Sequence, residues 1–168
     1  MGANFSLGAP ESTDHDRPIV MDTMSDESPC PFCRIVRGDQ PTLLIYEDTT
    51  SIAFLDRAPA APGHTLVVPR EHARNLFDID PARASTLFST AIHVARLLKE
   101  ALRPDGLTMI QTNEAAGWQS VFHFHLHLVP RWDHDNLPPP WRTSRAPVDV
   151  LAATQSRILR AATAASEL

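Results

Sequence analysis

Three histidines spaced two residues apart, His123, His125 and His127, are the side chains of this sequence best suited to chemistry. Apolar residues interleave them: Phe122, Phe124, Leu126 and Leu128. Alternation of period two from Phe122 to Val129 predicts a strand with one face in a core and a row of imidazoles on the other. Neighbouring imidazoles in such a row stand ~6.6 Å apart, two strand rises. The row suits metal binding, general acid–base work or nucleophilic attack by an imidazole. Histidines at i and i+2 can share an ion, whereas those at i and i+4 lie ~13 Å apart and share one with difficulty. The blander reading is a histidine cluster with no role, for which packing gives no reason.

A second group with chemical potential is Cys30-Pro-Phe-Cys33. Two thiolates at this spacing can grip one zinc, with two more ligands drawn from elsewhere in the chain. A redox pair is the alternative, but it wants a βαβ context that the flanking sequence lacks, and inert thiols are another. Asp56 follows an apolar run, where a carboxylate can accept hydrogen bonds from two vicinal hydroxyls or simply start a turn. His64 opens a strand and Asn113 closes one, and each also has an ordinary local reading.

These residues need elements to position them. A short helix reaches Arg37 and stops at Gly38. Strands follow over 43–47 and 51–55 around the turn Asp48-Thr-Thr, and another runs from His64 to Val68 before Pro69. Asp80-Pro81 is a capping residue followed by proline at the first helical position. The helix it opens extends to Leu102, with Ala84, Leu87, Phe88, Ala91, Ala95, Leu98 and Leu102 as the apolar stripe and His93 on the other side. A strand over 107–112 leads through Glu114–Trp118 to Gln119 and Ser120. Beyond Arg131 come the stiff run Leu137-Pro-Pro-Pro-Trp141 and an Ala-rich helix over 148–164, expected to pack across a subunit boundary. This order gives an α+β class: an antiparallel sheet with one long packed helix and a short N-terminal helix. The expected organisation is a disordered acidic tail over 1–28, a domain over 29–134 and an extension with a helix over 135–168.

At 168 residues and 43% apolar content, the chain can bury a single-domain core. Its formal charge of −5 resides within residues 1–29, and the remainder balances. Without a basic face, a nucleic-acid polymer is not an expected partner, whereas one nucleotide is compatible because amides and histidines can hold a phosphate. There is no membrane-length apolar run and no signal-peptide start, so the expected location is cytoplasmic.

The run Gln119-Ser-Val-Phe-His-Phe-His-Leu-His-Leu-Val129 resembles the signature of the histidine triad (HIT) family, in which histidines alternate with apolar residues. Phe32-Cys-Arg-Ile-Val-Arg-Gly38, Tyr46-Glu-Asp48, Ala53-Phe-Leu-Asp56, Gly63-His-Thr-Leu-Val-Val-Pro-Arg-Glu-His72 and Asn113 extend the resemblance over about Cys30 to Asp133. It implies a nucleotide hydrolase or transferase acting at the α-phosphate through a nucleotidyl-histidine, with His125 as nucleophile. His127 and Ser120 are implied as further catalytic groups, and Asp56, His64, Asn113, Gln119 and His123 as contacts to the nucleotide. By the same resemblance, Cys30, Cys33, His72 and His123 hold a structural zinc, no cofactor is needed for the chemistry, and the chain forms a homodimer.

Glycine is common in the family at the places held here by Glu114 and Trp118, and an indole there could narrow the leaving-group side. The ending Pro130-Arg131-Trp132 favours dinucleoside polyphosphates as substrates, with a nucleoside phosphoramidase as the competing enzyme. A nucleotide-binding scaffold and a metal hydrolase using His123 and His125 are the alternatives from other classes.

Overall fold

The structure, a computed structural model, describes residues 30–165. The acidic tail expected over 1–28 lies outside them. The elements run α1 (Pro31–Arg37), β1 (Leu44–Glu47), β2 (Ser51–Leu55), β3 (Thr65–Pro69), α2 (Pro81–Leu102), β4 (Gly106–Ile110), β5 (Leu126–Arg131) and α3 (Val148–Ala165). The strands form one antiparallel sheet in the order β1-β2-β3-β5-β4. The α+β expectation holds.

Local chemistry sets most element ends. Pro31 sits in the first turn of α1, and Gly38 ends the helix in the left-handed region at φ +84°, with its N–H on the Ile35 carbonyl. Asp48 closes the β1–β2 hairpin by accepting the amides of Thr50 and Ser51, each at 2.8 Å. Asp80 caps α2 by accepting from the amides of Ala82 and Arg83.

The long helix packs on one face of the sheet around Ala53, Val67, Leu87, Ala91, Val94, Leu98, Phe124, Leu126 and Leu128. Its buried stripe is rotated from the expected one. Val94 and Thr90 point inward, whereas Phe88 and Leu102 are 40% and 38% exposed. Leu87, Ala91, Val94 and Leu98 keep the helical period, and Thr90 can be buried because its hydroxyl donates to Asp48 at 2.9 Å. The opposite face carries a second cluster, Phe32 and Ile35 of α1 against Ile52, Phe54, Leu66 and Val68.

That second layer overturns one expectation. The triad does not line the wet side of a strand from Phe122. β5 begins only at Leu126, and His123 and His125 are buried, at 0% and 3% exposure. Short-range and loop hydrogen bonds replace the ladder before it: His123 donates its amide to Val121, and Phe124 donates to the Ala73 carbonyl at 2.6 Å. The even positions Phe124, Leu126 and Leu128 enter the core as expected, while Phe122 turns out beneath the Arg74 guanidinium, 4.2 Å from its ring centre.

Two backbone features fix the sheet around the triad. Gly63 lies at φ +79°, where an added Cβ would collide with the Leu102 side chain. β3 pairs with β5 only as far as Thr65↔Leu128, so Pro130 lies past the last β3 partner and is opposed by Leu107 of β4. Several apolar side chains of α3 stand exposed, among them Val148, Val150, Leu151 and Ile158. No helix among the described residues is long and apolar enough to cross a membrane.

Candidate active site

β3 and β5 bring His64 and His127 together, because Leu66 and His127 are register partners and His64 directly precedes β3. His64 Nε2 lies 2.9 Å from His127 Nδ1. Directly before β5, His125 sets its ring 4.8 Å from that of His127, centroid to centroid. Asp56, just past β2, approaches His64 Nε2 at 3.6 Å while also accepting from the Ala58 amide.

The proton on each ring follows from its partners. A carbonyl can only accept, so His125 carries its proton on Nδ1 and donates it to the His123 carbonyl at 2.6 Å. Its Nε2 is then a bare lone pair. The Ala60 amide can only donate, so His64 Nδ1 accepts from it at 3.1 Å and the proton of neutral His64 sits on Nε2. That proton is directed to His127 Nδ1, which leaves the His127 proton on Nε2. His123 donates from Nε2 to the Pro69 carbonyl at 3.0 Å and keeps its lone pair on Nδ1.

Burial favours these neutral forms. It pushes His127 down to about 4, helped by the neighbouring His125 and His64 and opposed by Asp56. It also lowers His125, against the hydrogen bond to His123 and the field of Asp56, and lowers His64 against Asp56. The site therefore holds neutral imidazoles at ordinary pH, His125 with a bare Nε2 and His127 with a proton on Nε2.

A second cluster lies behind the first. Cys30 and Cys33, at the start of α1, meet His72 beyond β3 and His123. His123 Nδ1 stands 3.3 Å from Cys30 Sγ, 3.5 Å from Cys33 Sγ and 3.3 Å from His72 Nδ1, and Cys33 Sγ lies 3.4 Å from His72 Nδ1. Tetrahedral zinc with nitrogen and sulfur ligands separates its ligand atoms by about 3.3–3.6 Å, which these distances match. The Pro69 carbonyl holds the far nitrogen of His123 protonated and so presents Nδ1 to an ion, the outer-shell arrangement of a metal-binding imidazole. The donor set fits zinc. His123 Nδ1 faces this cluster while His125 Nδ1 is occupied by the His123 carbonyl, so the pair does not form the shared hydrolytic site weighed from sequence.

Two other expected contacts, Gln119 and Asn113, have hydrogen-bond partners within the protein. Gln119 is 3% exposed, and its amide accepts from the Glu114 amide at 2.8 Å and donates to the carbonyls of Arg74 and Val121 at 2.7 and 3.1 Å. Asn113 accepts from the Leu76 amide at 2.7 Å and exchanges hydrogen bonds with Gln111. Both side chains tie the loop 111–120 to the loop 72–78. Ser120 is exposed and lines a cavity of about 430 Å³ with Cys30, His72, Arg74 and Phe122, on the side of the cysteine cluster. Trp118 adopts φ +71° and pairs with Trp141, ring centres 6.2 Å apart.

Sequence reasoning missed four participants: the Ala60 amide, the Pro69 carbonyl, Phe32 and the Arg74–Glu114–Asn75 clamp. Phe32 sets its ring edge-to-face on His125 at 5.2 Å, and its place between the two cysteines was the available signal. Glu114, expected only as a departure from glycine, accepts from Arg74 at 2.8 Å and from Asn75 at 2.5 Å.

Comparison with known proteins gives a consistent set of relatives. The family model described as HIT domain matches residues 37–134. Protein hit of Bacillus subtilis is 36% identical over 68% of this chain and 79% of its own. The adenylylsulfatase HINT3 of Arabidopsis thaliana is 32% identical over 73% of this chain and 61% of its own. The adenosine 5'-monophosphoramidase hnt1 of Schizosaccharomyces pombe is 33% identical over 61% and 74%. Among solved structures, a HIT family protein from Bacillus anthracis superposes with a TM-score of 0.73 at 33% identity, over 79% of this chain and 96% of that one. A Zn-bound histidine triad family protein from Mycobacterium smegmatis gives 0.64 at 38% identity, over 70% and 84%.

Proposed function

The chain belongs to the HIT family, and from that premise we propose that it hydrolyses or transfers nucleotides at the α-phosphate, with His125 as the nucleophile. The observation that carries this is the 2.6 Å hydrogen bond from His125 Nδ1 to the His123 carbonyl, which aims the free Nε2 lone pair away from the backbone. In the first step Nε2 bonds to phosphorus as the bond to the leaving group breaks. His127 Nε2–H donates a hydrogen bond to the departing atom; a sulfate leaves as its anion, and an amine takes its proton from water. Water then attacks the nucleotidyl-histidine and sheds a proton to solvent, and the nucleoside monophosphate is released as the phosphorus–Nε2 bond breaks and neutral His125 is restored. Asp56 accepts from the ribose hydroxyls, and His64 holds His127 in its donor form. Ser120, which shares a cavity with Cys30 and His72, receives no step in this reading.

For the substrate we favour a nucleotide with a small leaving group, an amine or sulfate, over a dinucleoside polyphosphate. Relatives named as a monophosphoramidase and an adenylylsulfatase support it. The polyphosphate expectation rested on the Pro130-Arg131-Trp132 ending. Arg131 is spent within the fold, donating to both oxygens of Asp135 at 2.6 and 2.8 Å and to the Leu137 carbonyl at 2.8 Å. It has little capacity left for a phosphate chain.

Cys30, Cys33, His72 and His123 would hold a zinc ion, supported by the fit above and by the Zn-bound relative. The ion would tie α1 to the sheet. A homodimer joined along the outer edge of β4 is also part of this reading, supported by the exposed Leu107, Met109 and Ile92 there. Light scattering that gives a monomer mass would remove it.

The deciding experiment is turnover of adenosine phosphoramidate, adenylylsulfate, diadenosine polyphosphates and their guanosine analogues by the zinc-loaded protein and by His125→Ala. The variant should bind nucleotide and turn nothing over. Near-wild-type rates in His125→Ala would sink the nucleophile assignment.

A further inference from the structure

The geometry points to Phe32 as a positioning residue for the nucleophile, held in place by the metal ligands on either side of it. Phe32 is the inner residue of Cys30-Pro31-Phe32-Cys33 and is itself buried, at 7% exposure. Its ring stands almost perpendicular to His125, at 83° with centroids 5.2 Å apart, and also meets His123 at 5.9 Å and Phe54 at 5.6 Å. His125 is thereby gripped by two arms that both start at the cysteine–histidine cluster. One is the peptide carbonyl of His123, a cluster member, which takes the Nδ1 proton. The other is the Phe32 ring, whose backbone is pinned by a cluster ligand on each side.

A hydrogen bond to Nδ1 fixes only one point of an imidazole, and the ring can still swing about it. The aromatic edge contact removes that freedom and holds Nε2 on the line of attack. Ligation of Cys30 and Cys33 therefore does more than fasten a helix: it sets the angle of the attacking ring. The ring orientation and tautomer of His125 should change when either the ion or the Phe32 ring is removed, in a fold that otherwise survives. This inference rests on the His125 reading for its kinetic arm and is independent of it for its spectroscopic arm.

The test compares wild type, Phe32→Leu and Leu87→Val, each zinc-loaded, with wild type stripped of zinc. Leu87 lies in the α2 core on the opposite face and supplies a control for core destabilisation. Long-range proton–nitrogen NMR should show one Nδ1–H tautomer for His125 in zinc-loaded wild type and in Leu87→Val. Phe32→Leu and the zinc-free protein should show a tautomer mixture and loss of the ring-current shift on His125. An aromatic edge contact is worth enough for roughly a tenfold loss in kcat in Phe32→Leu, with KM within about twofold. A single unchanged tautomer in both the Phe32→Leu and zinc-free proteins would overturn the inference, as would an equal kcat loss in Leu87→Val. If wild type turned over no nucleotide, the functional reading would fail while the tautomer spectra still decided this one.

Discussion

Gln119→Leu separates a residue that touches substrate from one that builds the loop. Leucine keeps the volume of a side chain that is only 3% exposed, so packing changes little. What is lost is three hydrogen bonds, from the Glu114 amide and to the carbonyls of Arg74 and Val121. Each is worth about 1 kcal/mol net, and stranding backbone groups in a partly buried loop adds to that, so a loss of about 3 kcal/mol is expected. A domain of this size has a urea m-value near 2 kcal/mol/M, which converts the loss to a fall of roughly 1.5 M in the unfolding midpoint. The assay is equilibrium urea unfolding of the nucleotide-free, zinc-loaded protein, followed by far-UV circular dichroism and tryptophan emission. Hydrogen exchange should show the Glu114 amide opening first. If the midpoint moved by less than about 0.3 M while KM for nucleotide rose severalfold, Gln119 would be a substrate donor and the loop argument would be wrong.

Three further outcomes are expected. His64→Phe preserves a ring but leaves His127 Nδ1 without its donor; kcat should drop roughly 100-fold with KM little changed, and a kcat within twofold of wild type would refute the tautomer chain. Stability should decline on acidification from pH 6.5 towards 4, because His127, ordinarily near 6.5, is held at about 4 in the folded protein and so binds fewer protons there than in the unfolded chain. Its contribution is complete above 6.5 and lost through that window at up to about 1 kcal/mol per pH unit, so urea midpoints of His127→Gln should show a shallower pH slope, and an equal slope would count against the buried neutral ring. Gly63→Ala should cost about 2 kcal/mol, from a left-handed backbone and a collision with Leu102, and thermal unfolding of the variant within 2 °C of wild type would contradict that.

What the sequence made legible was mostly local. The turn and cap hydrogen bonds of Gly38, Asp48 and Asp80 reach no more than four residues along the chain, so each turn or helix end could be read from its neighbours. The triad, the paired cysteines and their two histidine partners were legible through resemblance, since spacing alone left several chemistries open. The burial of His123 and His125 was not legible. It depends on α1 lying over a face whose alternation reads as wet, and α1 is some ninety residues away in the chain. The partners of Asn113 and Gln119 in the loop 72–78 were hidden for a similar reason, since an amide suited to a phosphate is equally suited to a peptide group. The partners of Arg131 were not legible either, because nothing in its immediate sequence says that the chain will curl back to offer it Asp135 and Leu137.

Pro130, set just past the last β3 partner, acts as a stop on sliding. Were β5 to slip by two residues along β3 so that Pro130 faced Thr65, a ring with no N–H would enter the β3 side of the ladder, and Val129 would take the place opposite Leu66 now held by His127. Every imidazole would then face the wrong neighbour while each still pointed to the same side of the sheet, so hydrophobic pattern alone would not reject the error. A single imino acid thus guards the alignment of the reactive row, and Pro130→Val is the substitution most apt to yield a well-folded protein with its histidines one step out of place.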